Sequence, residues 1–275
     1  MKKTIIAALS SLVAVFMFAV VANAATSTVI VTGDTSAGQN QPGWMFNRDP
    51  DNAIPFEFNE DEASIGAGSL YVFPITNTVN GNADKFIAEN FINAPIADIS
   101  SISYDFMIGS GGDASDKNKF YMSVYANFGE SDDDKFYDCR YSVAPTTGST
   151  TDWTTVTFDP TQVYPVATHG TSPFACPSVP ADMDLSSAGS TIRVFSLNVG
   201  DTSANDTGLD GYLDNVVVSI AGDTTINDFE PALTPSDKNE CKNGGWMTFN
   251  TPMFDNQGQC VSYVQANENA GKRSN

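Results

Sequence analysis

The chain has 275 residues, with 33 acidic side chains against 13 basic ones and a formal net charge of −20. That balance repels nucleic acid and anionic lipid, and it suits solubility and divalent cations. A single histidine, His169, and no C-x-x-C pair argue against a zinc centre.

Lys2 and Lys3 open the chain, Ile5 to Val21 is an almost unbroken apolar run, and Ala22-Asn23-Ala24 is a small-x-small box. This is the pattern of a secretory signal peptide over residues 1–24, bacterial in style and cut after Ala24. A membrane anchor is the competing reading, but the run is short for spanning. Export leaves about 250 residues carrying a charge near −22, because Lys2 and Lys3 go with the leader. No later segment is apolar enough to span a bilayer, so a secreted or cell-surface protein is expected.

From Thr28 to Ile220 the chain reads as strands and turns. Thr28–Thr32 is β-branched, and Ser69–Ile75 is a second run that Pro74 places at an edge or end. Ile102, Tyr104, Phe106 and Ile108 alternate with polar residues. Phe120, Met122, Val124 and Ala126 alternate with Tyr121, Ser123, Tyr125 and Asn127. Tyr137, Cys139, Tyr141 and Val143 alternate with Phe136, Asp138, Arg140 and Ser142. Further strands are expected over Trp153–Phe158, Thr191–Val199 and Gly211–Ile220, separated by Gly, Ser, Asp, Thr and Pro. Only Lys85–Phe91 and Pro180–Ser187 have room for a helical turn or two. In the last strand, period two puts Asp214 on the face of Val216, Val218 and Ile220, pointing into a core. A carboxylate there demands hydrogen bonds, a counter-charge or a metal.

Many short strands in one long domain predict an all-β fold, a jelly-roll β-sandwich, over residues 25–222. Immunoglobulin-like sandwiches are the rival, but they run to about 100 residues each and no repeat divides this stretch. Pro231 and Pro235 mark residues 223–240 as a linker. Residues 241–264 form a small cysteine-framed appendage, and residues 265–275 a frayed tail. All four cysteines lie in the exported part, where disulfides are expected. Of the three pairings, Cys139–Cys176 and Cys241–Cys260 keep each bond within one region.

Tyr212-Leu213-Asp214-Asn215-Val216 resembles the last strand of jelly-roll carbohydrate-binding modules. Gly66-Ala67-Gly68-Ser69-Leu70-Tyr71-Val72 is similar to the strand that follows their Gly-Ser-Leu turn, and Trp153–Phe158 to their mid-domain Trp-Thr strand. The resemblance implies a two-sheet sandwich, often with a structural calcium, and binding to extracellular polysaccharide. The chain departs from the pattern in its acidic loops and in its long connection from Thr161 to Ala188. Cys241-Lys242-Asn243-Gly244-Gly245-Trp246, with Asn256-Gln257-Gly258-Gln259-Cys260-Val261, resembles a cysteine-framed tail of uncharacterised bacterial secreted proteins; it transfers no chemistry.

Three chemistries compete. Calcium takes six to eight hard oxygen ligands; Asp214 is the expected anchor, with Asp34, Glu57 or Asp61 as partners. Sugar binding needs aromatic faces and hydroxyl partners, for which Trp44, Tyr121, Tyr125, Tyr164 and Tyr212 are candidates, Tyr121 and Tyr125 sharing one face. Trp153 and Trp246 read as packing residues. Catalysis is third. His169 lies in a loop with no G-x-S-x-G elbow, and Glu57 and Glu62 are no better a glycosidase pair than chance. The expected role is non-catalytic recognition of an extracellular or cell-surface glycan, with a structural calcium. A structural or adhesive protein that binds other envelope proteins is the alternative, and a glycoside hydrolase comes third.

Overall fold

The computed structural model describes residues 24–32, 40–41, 43–47, 54–76, 85–127, 137–168, 175–182, 190–201 and 206–270. Two seven-stranded sheets face each other in a β-sandwich, the jelly-roll class expected. The first sheet holds β1 (Thr26–Val31), β4 (Phe56–Asn59), β5 (Ser69–Val72), β7 (Ile99–Ile108), β10 (Thr154–Phe158), β13 (Gly211–Ile220) and β14 (Asp223–Phe229). The second holds β2 (Asn40–Gln41), β3 (Trp44–Phe46), β6 (Phe86–Pro95), β8 (Phe120–Asn127), β9 (Cys139–Val143), β11 (Val166–Thr168) and β12 (Thr191–Val199).

The alternating segments fold as their period requires. Phe120, Met122, Val124 and Ala126 of β8 are buried between the sheets, while Tyr121 and Tyr125 are half-exposed on the other side. Near β3, Trp44, Phe46, Phe56, Phe58 and Phe86 interlock with Phe229 at ring-centroid distances of 5.0 to 6.5 Å. Burying each such ring contributes about 1.5–3 kcal/mol. Trp44 is only 1% exposed, and its indole Nε1–H donates to Asn227 Oδ1 at 3.2 Å. It is therefore a core residue, not the sugar-stacking residue the sequence suggested.

Three segments depart from the sequence expectations. Lys85–Phe91 is not helical, since β6 occupies Phe86–Pro95 between β12 and β3. The expected linker begins later, because β14 pairs antiparallel with β13 and parallel with β1. Its polar alternation hid it, yet Asn227 and Phe229 are buried. The C-terminal unit contains a helix, α1 (Gln257–Ala270), which crosses the boundary drawn at residue 264. Asn256 caps it, its Oδ1 accepting from Gln259 N at 3.0 Å. Cys260 and Val264, one turn apart, are buried against Cys241. Both expected disulfides are present, Cys139–Cys176 and Cys241–Cys260. The appendage is tied to the sandwich where Leu233 N donates to Asn250 Oδ1 at 2.8 Å and Thr251 Oγ1 donates to Thr32 Oγ1 at 3.2 Å.

Candidate functional site

The outer side of the second sheet is built by register. Tyr121, Ser123 and Tyr125 of β8 lie opposite Asn198, Ser196 and Val194 of β12, which in turn lie opposite Ile87, Glu89 and Phe91 of β6. On the other flank Arg140 of β9 is paired with Tyr125, and Ser142 with Ser123. Ser123, Ser196, Asn198 and Glu89 are buried although they lie on the outer side. They form a polar strip flanked by the larger side chains of the same side. Asn198 Nδ2 donates to Ser196 Oγ at 3.0 Å and to Tyr121 O at 3.2 Å, which fixes that strip. Tyr125 packs edge-on to Tyr137 at 5.0 Å.

Two cations lie near this strip, Arg140 paired with Tyr125 and Lys85 within the field of Arg140 and Glu89, in a chain short of cations. Burial first, then the nearby Arg140 guanidinium, lower the Lys85 pKa, while Glu89 and Asp201 act the other way. Arg140 Nε is buried without a hydrogen-bond partner. Burial, and then Tyr125, push the Tyr121 phenol up, with Arg140 opposing. This side of the sheet therefore offers stacking rings, amide and hydroxyl groups, one carboxylate and an unspent guanidinium donor.

The other candidates are elsewhere. Tyr212 is on the outer face of the first sheet, opposite Tyr71 of β5 and Met107 of β7. Tyr164 packs on Phe158 at 5.2 Å, and its Oη accepts from Asp159 N at 2.8 Å, a structural bond. No single surface unites the four proposed sugar-binding residues Trp44, Tyr121, Tyr125 and Tyr212; only Tyr121 and Tyr125 share one.

Asp214 is fully buried, as expected, but not in the inter-sheet core. The β13 register shifts after Asp214, and Asn215 takes a left-handed φ of 48°. This bulge puts both Leu213 and Val216 into the core. Asp214 faces Asp105 across the ladder, and Asp105 lies between the core residues Tyr104 and Phe106. Both carboxylates thus lie on the outer face, covered by the segment around Ser64. Asp214 Oδ2 accepts from Ser64 N and Ile65 N, each at 3.0 Å, and Oδ1 accepts from Phe229 N at 3.1 Å. Asp105 accepts from Ser64 Oγ, from Asn215 Nδ2 at 2.9 Å and from Thr155 Oγ1 at 2.6 Å. Backbone donors thus satisfy the buried Asp214 carboxylate directly.

The expected metal partners do not gather there. Glu57 Oε1 and Asp61 Oδ2 accept from Asn59 Nδ2 at 3.0 and 3.3 Å, and Asp34 lies outside the described residues. Among the described residues, no three His, Cys, Asp or Glu side chains form a ready metal cage. A different pair lies beside Asp214. Asp228 and Glu230 are both buried, Glu230 Oε1 accepts from Ala67 N at 2.6 Å, and Asp228 Oδ1 has no hydrogen-bond partner. Gly66 has φ 66°, and a Cβ there would lie 1.7 Å from Glu230 Oε1 and 2.9 Å from Asp228 Oδ2. Burial first, then Glu230 and Asp214, raise the Asp228 carboxyl to about 7, and burial raises Asp214 to about 6. The sequence hid this pair because β14 read as linker.

The fold is a two-sheet β-sandwich in which one outer face carries two tyrosines and a strip of buried polar side chains. No protein-family model matches the chain, and no curated protein matches it. Solved structures with partial likeness include a family 11 carbohydrate-binding module from Clostridium thermocellum in complex with a β-1,3-1,4-mixed-linked tetrasaccharide. It shares 11% identity over 73% of this chain and 96% of that one, with a TM-score of 0.40. A xylan-binding domain from carbohydrate-binding module family 22 shares 13% identity over 70% of this chain and 93% of that one, with a TM-score of 0.36. The enzymatically active domain of bacteriophage CBA120 tailspike protein 4 shares 12% identity over 69% and 21%, with a TM-score of 0.34. At these TM-scores the likenesses carry no argument about function.

Proposed function

We propose that the protein is a secreted, non-catalytic glycan-recognition protein that binds an extracellular or cell-surface polysaccharide on the outer side of the second sheet. The observation that carries the reading is the outer side of the second sheet, where register sets the half-exposed Tyr121 and Tyr125 beside the buried polar side chains of Ser123, Ser196, Asn198 and Glu89. Aromatic faces stack on the apolar faces of sugar rings, and such a site gains orientation from a few fixed polar groups. Arg140 adds a donor with an unused N–H.

The reading includes a structural calcium at Asp228 and Glu230. Support comes from the orphaned Asp228 Oδ1, from the close approach of both carboxylates to Gly66, and from their hard oxygens. Those two side chains would hold the ion, and its charge would keep them ionised in a buried place.

Binding is tested with the exported protein, residues 25–275, by pull-down on insoluble polysaccharides and by calorimetry with soluble oligosaccharides. Tyr125→Ala is expected to weaken the best ligand about ten-fold, the equivalent of ~1.4 kcal/mol. No binding to any glycan, together with retention on the cell surface, would favour the envelope-adhesion alternative. Turnover of a glycoside would favour the hydrolase.

A further inference from the structure

The outer face of the first sheet carries a row of aromatic rings. Register sets Glu57, Tyr71, Tyr212 and Met107 side by side on β4, β5, β13 and β7. Ring centroids run from Phe73 to Tyr71 at 5.1 Å, from Tyr71 to Tyr212 at 4.8 Å, and from Tyr212 to Trp153 at 6.5 Å. All four aromatic side chains are half-exposed, although each touches another. Tyr71 is held in place by its Oη, which donates to Asp210 Oδ2 at 2.7 Å.

Carboxylates surround this row. Beyond burial, the groups that raise the Tyr212 phenol are Asp61, Glu62, Asp210 and Glu57. The hydrogen bonds that Glu57 and Asp61 accept come from Asn59, and those of Asp210 from Tyr71 and Gly111 N. No described Lys or Arg forms an ion pair with any of the four. Aromatic faces attract ammonium and guanidinium groups within about 6 Å of the ring centroid, and desolvation and added negative charge strengthen that attraction.

We propose that this row is a docking surface for a basic polypeptide segment of a partner protein. Lys and Arg side chains lie over Tyr71, Tyr212 and Trp153 with their charges against Glu57, Asp61 and Glu62. A second copy of this chain is a poor occupant, because its net charge of −20 repels the same acids. The surface is distinct from the proposed glycan face, being on the opposite sheet.

The test is calorimetric titration of the exported protein with hexalysine and hexaarginine. The triple variant Glu57→Gln, Asp61→Asn, Glu62→Gln removes the acidic rim at exposed or half-exposed positions. A control triple, Asp98→Asn, Asp182→Asn, Asp255→Asn, removes equal charge at exposed positions elsewhere. The rim triple is expected to weaken binding about ten-fold, against under about two-fold for the control, and Tyr212→Leu to weaken it about five-fold. Equal weakening by both triples would mean general attraction to an acidic protein and would overturn the proposal. So would the absence of binding, or a neutral oligosaccharide whose affinity Tyr212→Leu abolishes.

Discussion

Replacing Asp214 by alanine isolates the most unusual local feature of the fold. The change strands three backbone donors, those of Ser64, Ile65 and Phe229, around the site of a side chain that is itself fully buried. Each orphaned buried N–H costs ~1–3 kcal/mol, or about 6 kcal/mol for three at the middle of that range. Against this, the mutation relieves the burial of a charge. Asp214 titrates near 6 rather than 3.8, which at ~1.4 kcal/mol per unit is about 3 kcal/mol above neutral pH. The net loss is about 3 kcal/mol at pH 8, and for a chain of this size that lowers Tm by roughly 6–12 °C. The pH dependence has a defined sign. In metal-free protein, raised carboxyl pKa values add stability that is fully present below the unfolded value of 3.8 and is lost as pH rises through 6. Wild type therefore gains on acidification from pH 8 to 5, whereas Asp214→Ala lacks that share of the gain, so the gap between them widens. Thermal melts in chelator at the two pH values measure this. A variant that melts within about 1 °C of wild type at both would refute the hydrogen-bonding role assigned to the carboxylate.

Calcium is expected to raise Tm, to do so less at pH 5 than at pH 8, and to lose its effect in Asp228→Asn with Glu230→Gln; melts with and without chelator decide this. The double variant Cys139→Ala with Cys176→Ala opens a loop spanning 37 residues and is expected to cost about 4 kcal/mol in denaturant titration. Asn256→Ala removes the cap of α1 and is expected to cost about 1 kcal/mol, seen as faster amide exchange confined to the C-terminal unit. Ala25 N lies 3.0 Å from Asp223 Oδ1, so cleavage after Ala24 would place a new ammonium on a carboxylate. Amino-terminal sequencing of the exported protein is expected to begin at Ala25.

Where one face of a strand is buried, the fold was legible in the sequence. The alternation in β7, β8, β9 and β13 placed those strands, and the even spread of cysteines over two regions gave their pairing. β14 was lost because its buried residues, Asn227, Asp228 and Phe229, cluster at its end, and the prolines beyond it suggested a linker. α1 was lost because its inward side is little more than Cys260 and Val264. A single bulge at Asn215 reversed the expected direction of Asp214, since period-two reasoning carries any phase error to the end of a strand. Within the candidate site, Tyr121 and Tyr125 lie two turns of the pleat apart on one strand, so their shared face was readable. Lys85, Glu89, Arg140, Ser196 and Asn198 come from three other regions of the chain, and only cross-strand register assembles them. The same holds for the row from Phe73 to Trp153.

The most direct measurement is an amide and aromatic NMR titration of the exported protein with the glycan that pull-down selects. Shifts are expected to concentrate at Tyr121, Tyr125, Arg140, Ser196 and Asn198 and to leave Tyr71 and Tyr212 unmoved. Shifts confined to the opposite sheet, or no glycan that moves these resonances, would contradict the assignment of sugar recognition to the second sheet.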